Sequence, residues 1–150
     1  MTKTETPQAK TATCRRTGCH ATLRHPRSVA RGIGPTCERK ERAELAAAQA
    51  RHEAAVTAAV EAVDTTAFMD AQAVKDKAVQ LILDGAIVPT RVSGQYLVNG
   101  SDGVSTYLTD TVENSCTCKA GARLGRCNHL VAAAALDLLN TPAPTLALAA

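Results

Sequence analysis

The sequence predicts an α+β chain made of small modules instead of one large core. The apolar fraction is 45%, but alanine is its largest contributor, and the chain has one Phe, two Tyr and no Trp. Such a composition buries little apolar area per residue. The spacing of apolar residues changes along the chain from a helical to a β period. Six cysteines form two groups, and small modules with few large side chains usually need metal ions or disulfides as cross-links.

A long helix is expected from Thr36 to Val63, where helix propensity is high. Pro35 can stand at its start, because the N–H that proline lacks has no intrahelical partner there. The apolar stripe of this segment is weak, which favours a helix that connects two regions over one that lies in a core. Its members are Leu45, Ala48, His52, Ala55, Val56, Ala59, Val60 and Val63.

A second helix is expected to follow the capping residues 64–66 and to run to about Asp84. Gly85 ends it, and Pro89 prevents any continuation. Four apolar residues recur at helical spacing and predict the face that packs against a core. They are Val74, Ala78, Leu81 and Ile82.

Residues 91–112 change to a β period. The segments RVSGQYLV and VSTYLTDTV are rich in β-branched and aromatic residues, and NGSDG between them supplies turn residues. We therefore expect an antiparallel hairpin. A short helix is expected from about Cys127 to Leu139, and its buried stripe would consist of Leu130, Val131, Ala134 and Leu138.

The stretch CTCKAGARLGRCNH places three cysteines and one histidine close together. A structural zinc ion takes four such ligands in a tetrahedron. Cys116 and Cys118 would point to the same side of an extended strand end, and Cys127 and His129 would close the site from the following helix. Two glycines in the intervening loop allow a tight return. A disulfide would leave one cysteine unpaired and would not use the histidine.

These residues resemble the SWIM zinc finger, whose pattern is C-x-C, a variable gap and C-x-H. The hairpin before the cysteines, the helix after the histidine and the helical segment KAVQLILDGAIV also agree with that family, so the resemblance covers residues 75–140. It implies a ββα finger that binds zinc, with DNA or a protein as its partner. Asn128 departs from the family, which usually has a basic residue between the last cysteine and the histidine.

A second group of candidate ligands lies in CRRTGCHATLRHPRSVARGIGPTC. Cys14, Cys19 and Cys37 need a fourth ligand for a tetrahedral site. His25 is preferred because it can approach across a turn, and His20 is the alternative, although it would share the site with its immediate neighbour. The motif GIGP predicts a fixed turn followed by a helix start, which favours an ordered site over thiols in a disordered arm.

The same segment resembles a short, largely uncharacterised zinc-finger-like domain of actinobacterial and phage proteins. Its pattern is roughly C-x2-C-G-R-x-L-x-D-P-x-S, followed by G-x-G-P-x-C. The cysteine spacing here is longer, C-x4-C, and His20 and His25 stand where Gly and Asp are commoner. Together, the two cysteine groups predict two zinc ions. The matching residues are Cys19, Leu23, Pro26, Ser28, Gly32, Gly34, Pro35 and Cys37.

The predicted organisation therefore has five segments. Three of them carry the expected structure, and the two ends are polar or proline-containing. The segments are a disordered tail (1–12), a zinc-knuckle module (13–40), a helical middle (41–84), a SWIM-like finger with its hairpin (85–140) and a loose tail (141–150).

Positive charge is concentrated towards the N-terminus. Residues 1–44 carry ten Lys or Arg and four Glu, a net +6, so the remainder carries −3. This distribution suits a nucleic acid, with DNA expected first, although few aromatics are present for stacking on single strands. The alternatives are a protein-interaction adaptor that docks through its alanine-rich helices and a thiol redox sensor. The expected phosphate contacts are Arg15, Arg16, Arg24, Arg27, Arg31, Lys119, Arg123 and Arg126.

The sequence contains no phosphate-binding glycine loop, nucleophile elbow or zinc-protease motif. Its helical carboxylates have the spacing of surface charge pairs. We therefore expect no catalytic residue, no enzymatic activity and no small-molecule substrate. No segment is apolar enough for a signal peptide or a membrane span, which predicts a cytoplasmic protein with reduced thiols and no membrane partner.

Overall fold

A computed structural model describes residues 11–141 of the chain. Their backbone combines helices with short antiparallel strands, which confirms the mixed α and β class. The chain divides into two compact units, unit 1 (residues 1–50) and unit 2 (residues 51–150), and each is described by itself. None of the helices in the described range is long and apolar enough to cross a membrane. The predicted tails 1–12 and 141–150 lie almost entirely outside the described residues.

Unit 1 consists of a small hairpin followed by helical segments. Strand β1 (Ala12–Thr13) pairs antiparallel with β2 (Thr22–Leu23), and the chain continues into α1 (Pro26–Arg31) and α2 (Pro35–Ala62). Each helix begins at a proline, which is tolerated at the first helical position. The hairpin and α1 were not predicted, because two-residue strands and a six-residue helix are too short to produce a periodic pattern.

The core of unit 1 is very small. Three buried side chains form it, and half of the residues in the whole cluster are cysteines. So few apolar contacts offset little of the conformational entropy lost on folding. A cross-link among the cysteines would supply the missing stability. The buried members are Cys14, Leu23 and Ile33, and Cys19, Val29 and Cys37 pack around them.

Unit 2 begins within α2. Residues 42–55 of this helix are exposed. Of the predicted weak stripe, only Val56, Ala59 and Val60 are buried, and Val63 packs partly against them. The last turns of α2 therefore belong to the core of unit 2.

Helix α3 (Ala71–Leu83) carries the predicted core-facing side chains. Asp70 caps it by accepting a hydrogen bond of 2.9 Å from the backbone N–H of Ala73. Gly85 follows the helix with a φ of 65°, a left-handed conformation that favours glycine. The expected face is confirmed, since Ala78 and Ile82 are buried and Val74 and Leu81 pack against the same core.

A four-stranded antiparallel sheet follows α3, with its strands in the order β3-β4-β5-β6. The predicted hairpin is confirmed as β4 (Gln95–Asn99) and β5 (Thr106–Asp110). Strands β3 (Ile87–Pro89) and β6 (Ser115–Cys116) extend the sheet on either side. These two strands were not predicted, because three and two residues are too few to show alternation.

Two helices complete unit 2, the short α4 (Lys119–Leu124) and the longer α5 (Asn128–Asn140). Helix α5 packs against α3 and the sheet. The expected stripe on α5 is confirmed at Leu130 and Val131, but it is wrong at Leu138, which is 50% exposed, and Ala134 is only partly buried. The reason is that three fully buried alanines form the contact face instead, and their small side chains let α5 pack closely against its neighbours. They are Ala132, Ala133 and Ala135.

Candidate metal centres

The C-terminal cluster joins one strand and two helix starts of unit 2. Cys116 ends β6, Cys118 caps α4, Cys127 caps α5, and His129 is the second residue of α5. All four side chains are buried, with exposures of 4–8%. Their ligand atoms lie within 4.8 Å of one another. The fold therefore brings together every ligand that was predicted for this site.

The spacing within this cluster fits a tetrahedral zinc ion. The Sγ atom of Cys116 lies 3.7 Å from Nδ1 of His129. Ligand distances of about 2.3 Å for sulfur and about 2.05 Å for nitrogen at a tetrahedral angle imply a separation of about 3.6 Å. The cysteines are free thiols, so they are available as ligands. Three thiolates and one imidazole are thus close enough together to hold such an ion.

The two glycines in the ligand loop serve different purposes. A Cβ at Gly121 would lie 2.6 Å from the carbonyl oxygen of Cys116 and 2.7 Å from its Cβ, so α4 can approach the first ligand only with glycine there. Gly125 ends α4 with a φ of 65° and has open space around it. The loop was predicted as a tight return, but the helix inside it was not.

Hydrogen bonds hold the ligand sulfurs in place. The backbone N–H of Gly121 donates to Sγ of Cys118 at 3.2 Å, and the hydroxyl of Thr109 donates to Sγ of Cys116 at 3.3 Å. Thr109 is fully buried and pairs with Cys116 across β5 and β6. Such outer contacts orient ligands and stabilise thiolates. Sequence reasoning missed Thr109, because the pairing is visible only once β6 is known.

Two buried thiols of this cluster have pKa values shifted in opposite directions. Burial and the neighbouring sulfurs raise the pKa of Cys127, although the backbone N–H of Leu130 lowers it. Burial also opposes ionisation of Cys118, but hydrogen bonds from the N–H of Gly121 and from the other thiols lower its pKa overall. A divalent cation would offset both the burial cost and the repulsion between thiolates.

His129 is prepared to act as a neutral ligand. Burial, followed by the positive charge of Lys77, lowers its pKa, so the imidazole is unprotonated at neutral pH. Its ring stacks on Tyr107, with the ring centroids 5.2 Å apart. The stacked ring fixes the orientation of the imidazole, which a metal ligand needs.

The N-terminal cluster lies in unit 1, around the turn of the first hairpin. Cys14 follows β1, Cys19 follows the turn, and Cys37 lies in the first turn of α2. Their sulfurs lie within 4.8 Å of one another, and those of Cys19 and Cys37 are 3.5 Å apart. Two thiolates on a tetrahedral zinc ion would be about 3.8 Å apart. These three sulfurs therefore also fit one ion.

Backbone groups close the hairpin that carries these ligands. The N–H of Cys14 donates to the carbonyl of Ala21, and the N–H of Cys19 donates to the carbonyl of Arg16, both at 3.0 Å. Gly18 completes the turn with a φ of 75°. The longer C-x4-C spacing thus accommodates a turn that returns the chain to the same ligand site.

Hydrogen bonding distinguishes the thiol of Cys14 from that of Cys37. Backbone N–H groups of Arg16 and Gly34 lower the pKa of Cys14. The thiol of Cys19 and burial raise the pKa of Cys37 to about 11. The thiolate of Cys14 is therefore better stabilised than that of Cys37. Its stabilisation depends on the GIGP turn, which supplies the N–H of Gly34.

The two histidines predicted as fourth ligands are not brought into this cluster. His25 is exposed, and its carbonyl accepts the backbone N–H groups of Ser28 and Val29 at the start of α1. His20 is also exposed. Within residues 11–141, no histidine or carboxylate joins the group formed by the three sulfurs.

Several of the arginines predicted to contact phosphate are paired with glutamates of α2. Arg15 pairs with Glu41, Arg16 with Glu44 and Arg31 with Glu38. The other five basic residues are exposed and form no ion pair within the described part of the chain. These five are Arg24 and Arg27 in unit 1, and Lys119, Arg123 and Arg126 in unit 2.

The N-terminal cluster also has counterparts in other sequences. Residues 4–42 match a family of unknown function (DUF6011). The DUF6011 match contains all three cysteines of unit 1 and ends within α2. No SWIM-type family matched the C-terminal cluster. Comparisons with curated proteins and with solved structures gave no match.

Proposed function

We propose that this chain is a zinc-binding accessory protein that contacts nucleic acid through basic surfaces on its two metal-stabilised units. DNA is the nucleic acid that we expect as its partner. The buried group of three cysteines and one histidine in unit 2 carries this proposal. Four soft or borderline ligands with tetrahedral spacing are typical of a structural zinc site. The protein would bind, and it would not catalyse a reaction.

The order of elements in unit 2 supports a SWIM-like finger. A hairpin (β4 and β5) precedes the first two cysteines, and α5 carries the last two ligands at its start. Helix α3 leads into this arrangement, as the resemblance implies. Helix α4 occupies the variable gap between the ligand pairs, where a family with variable spacing tolerates an insertion.

The surface of the finger supports contact with phosphate. Lys119, Arg123 and Arg126 are exposed, and the stretch between Cys116 and His129 contains no acidic residue. In unit 1, Arg24 and Arg27 offer a similar surface. The arginines that already pair with glutamates of α2 would contribute less, because a phosphate would have to compete with those carboxylates.

A salt titration of binding to a duplex oligonucleotide tests the nucleic-acid part of the proposal. The double variant Arg123→Ala/Arg126→Ala should weaken binding. It should also make the negative slope of log K against log salt concentration shallower by about 1.8, since each lost phosphate contact removes about 0.9. Arg51→Ala/Arg91→Ala is the matched control, because it removes the same charge from exposed positions elsewhere in unit 2.

Binding that both double variants weaken equally would point to overall charge and not to this surface. No binding of the wild-type chain even at low salt would refute nucleic acid as the partner.

A protein-interaction adaptor is the second candidate, and one feature of the sheet favours it. Val88, Leu97 and Leu108 are paired across three adjacent strands and are exposed by 53%, 42% and 39%. A row of apolar side chains of this kind suits a protein partner. The adaptor would be supported if Leu97→Ser abolished a defined protein complex that the Arg123→Ala/Arg126→Ala variant left intact.

A further inference from the structure

The two clusters differ in how many protein ligands they bring together. Unit 2 groups three sulfurs with a histidine nitrogen, whereas unit 1 groups three sulfurs alone. His20 and His25 lie outside the group in unit 1, although both are within a few residues of its cysteines along the chain. The carbonyl of His25 is already engaged at the start of α1.

The rest of the sequence offers few replacements for a histidine ligand. Residues 1–10 and 142–150 contain no cysteine and no histidine. Glu5 is the only side-chain carboxylate in those two segments. A fourth ligand from the protein would therefore have to be Glu5, or a histidine or carboxylate that moves when the metal binds. The nearest carboxylates along α2, those of Glu38 and Glu41, are already paired with Arg31 and Arg15.

Burial is uneven among the three sulfurs of unit 1. Cys14 is only 5% exposed and packs with Leu23 and Ile33. Cys19 and Cys37 are only partly buried. Because the apolar cluster covers one sulfur and leaves the other two partly exposed, solvent can reach the sulfur group.

We infer that the metal ion of unit 1 is held by three thiolates and one exchangeable ligand from solvent. This inference rests on the proposed function, since it requires that the cluster binds a metal. Three thiolates on a divalent ion leave one net negative charge, so a neutral ligand such as water or imidazole adds no further repulsion. Zinc sites with three protein ligands commonly keep the fourth position for water.

Cobalt(II) loaded into the full chain is the probe, because its visible bands report the ligands of a tetrahedral site. The Cys37→Ser variant removes one of the three sulfur ligands of unit 1 and should disrupt this site. Its spectrum subtracted from that of the wild type therefore isolates the bands of unit 1. Imidazole should shift the bands of the difference spectrum and leave those of Cys37→Ser unchanged. His25→Ala, His20→Ala and Glu5→Gln should keep both the original bands and the response to imidazole.

Two outcomes would overturn the inference while metal binding stands. In the first, the cobalt bands of unit 1 do not respond to imidazole. In the second, one of the three single variants changes these bands before imidazole is added, which would identify a protein side chain as the fourth ligand. Equal cobalt uptake by the wild type and Cys37→Ser would instead refute the metal site of unit 1, and the inference with it.

Discussion

The two cysteine clusters use similar ligands in different surroundings. In unit 2 all four ligand side chains are buried, a threonine and a backbone N–H bond their sulfurs, and the cluster lies beside the main core. In unit 1 two of the three thiols are partly exposed, the apolar cluster around them is small, and ion pairs lie on the nearby surface. The two candidate sites therefore differ in burial and in the contacts that orient their sulfurs.

This difference arises from the amount of apolar material in each unit. The core of unit 2 unites residues from α2, α3, the sheet and α5. The core of unit 1 has three buried residues, one of which is itself a candidate ligand. Surface ion pairs contribute little stability each. Unit 1 therefore depends on its cysteines for a core, while unit 2 depends on its ligands to join β6 to α4 and α5.

Ligand removal should separate the two sites most clearly. Cys116→Ser should lower the free energy of unfolding of unit 2 by more than about 4 kcal/mol, because metal binding in such modules is largely folding energy. Cys37→Ser makes the same chemical change in unit 1 and should leave the unfolding of unit 2 unchanged. Thermal unfolding followed by circular dichroism measures both. Equal destabilisation of unit 2 by the two variants would contradict this distinction.

The next largest effect should come from the close contact at Gly121. Gly121→Ala should cost about 3 kcal/mol, because the added methyl group would meet the backbone of Cys116, which cannot move aside without displacing a ligand. Gly125→Ala is the control, with a φ of 65° but open space around it, and should cost about 1 kcal/mol. Denaturant unfolding measures both, and a smaller loss for Gly121→Ala than for Gly125→Ala would argue against the contact.

The hydroxyl of Thr109 should have a smaller effect. Thr109→Val keeps the shape of the side chain but removes the donor to Cys116 Sγ, which should cost about 2 kcal/mol. It should also speed the transfer of zinc from unit 2 to a chelator. Thr106→Val changes an exposed threonine on the same strand and should do neither. Unchanged chelation kinetics in Thr109→Val would indicate that this hydrogen bond does not stabilise the site.

The smallest predicted effect concerns pH. Burial, followed by the hydrogen bond to Asp137 and its charge, raises the pKa of Tyr96 to about 12. The folded state therefore retains a proton that the unfolded state loses above about pH 10, so this stability falls as pH rises towards 12. The loss should reach about 1 kcal/mol by pH 11.

Tyr96→Phe removes the titrating group and should show a shallower decline in stability between pH 9 and 11 than the wild type. If the free energy of unfolding fell equally steeply with pH in the wild type and in Tyr96→Phe, the raised pKa of Tyr96 would be contradicted.

Periodic elements were predictable from the sequence. The face of α3 and the β4–β5 hairpin follow from repeated apolar spacing, and the ligands of unit 2 follow from residue type and spacing. Each signal extends over enough residues to be distinguished from chance.

Short elements and their consequences were not predictable. Strand β6 has two residues, so neither the register that pairs it with β5 nor the role of Thr109 could be inferred. The exposure of Leu138 also depends on how closely α5 approaches its neighbours, which alanines permit but local spacing does not specify. The glutamate partners of the N-terminal arginines lie 26, 28 and 7 residues away along the chain, a relation that only the fold creates.

Metal analysis of the purified full chain tests the central claim most directly. The wild type should contain two zinc ions, and Cys37→Ser and Cys116→Ser should each contain one. A wild type with no bound zinc, or two ions retained in both variants, would contradict the claim that these two clusters are the metal sites.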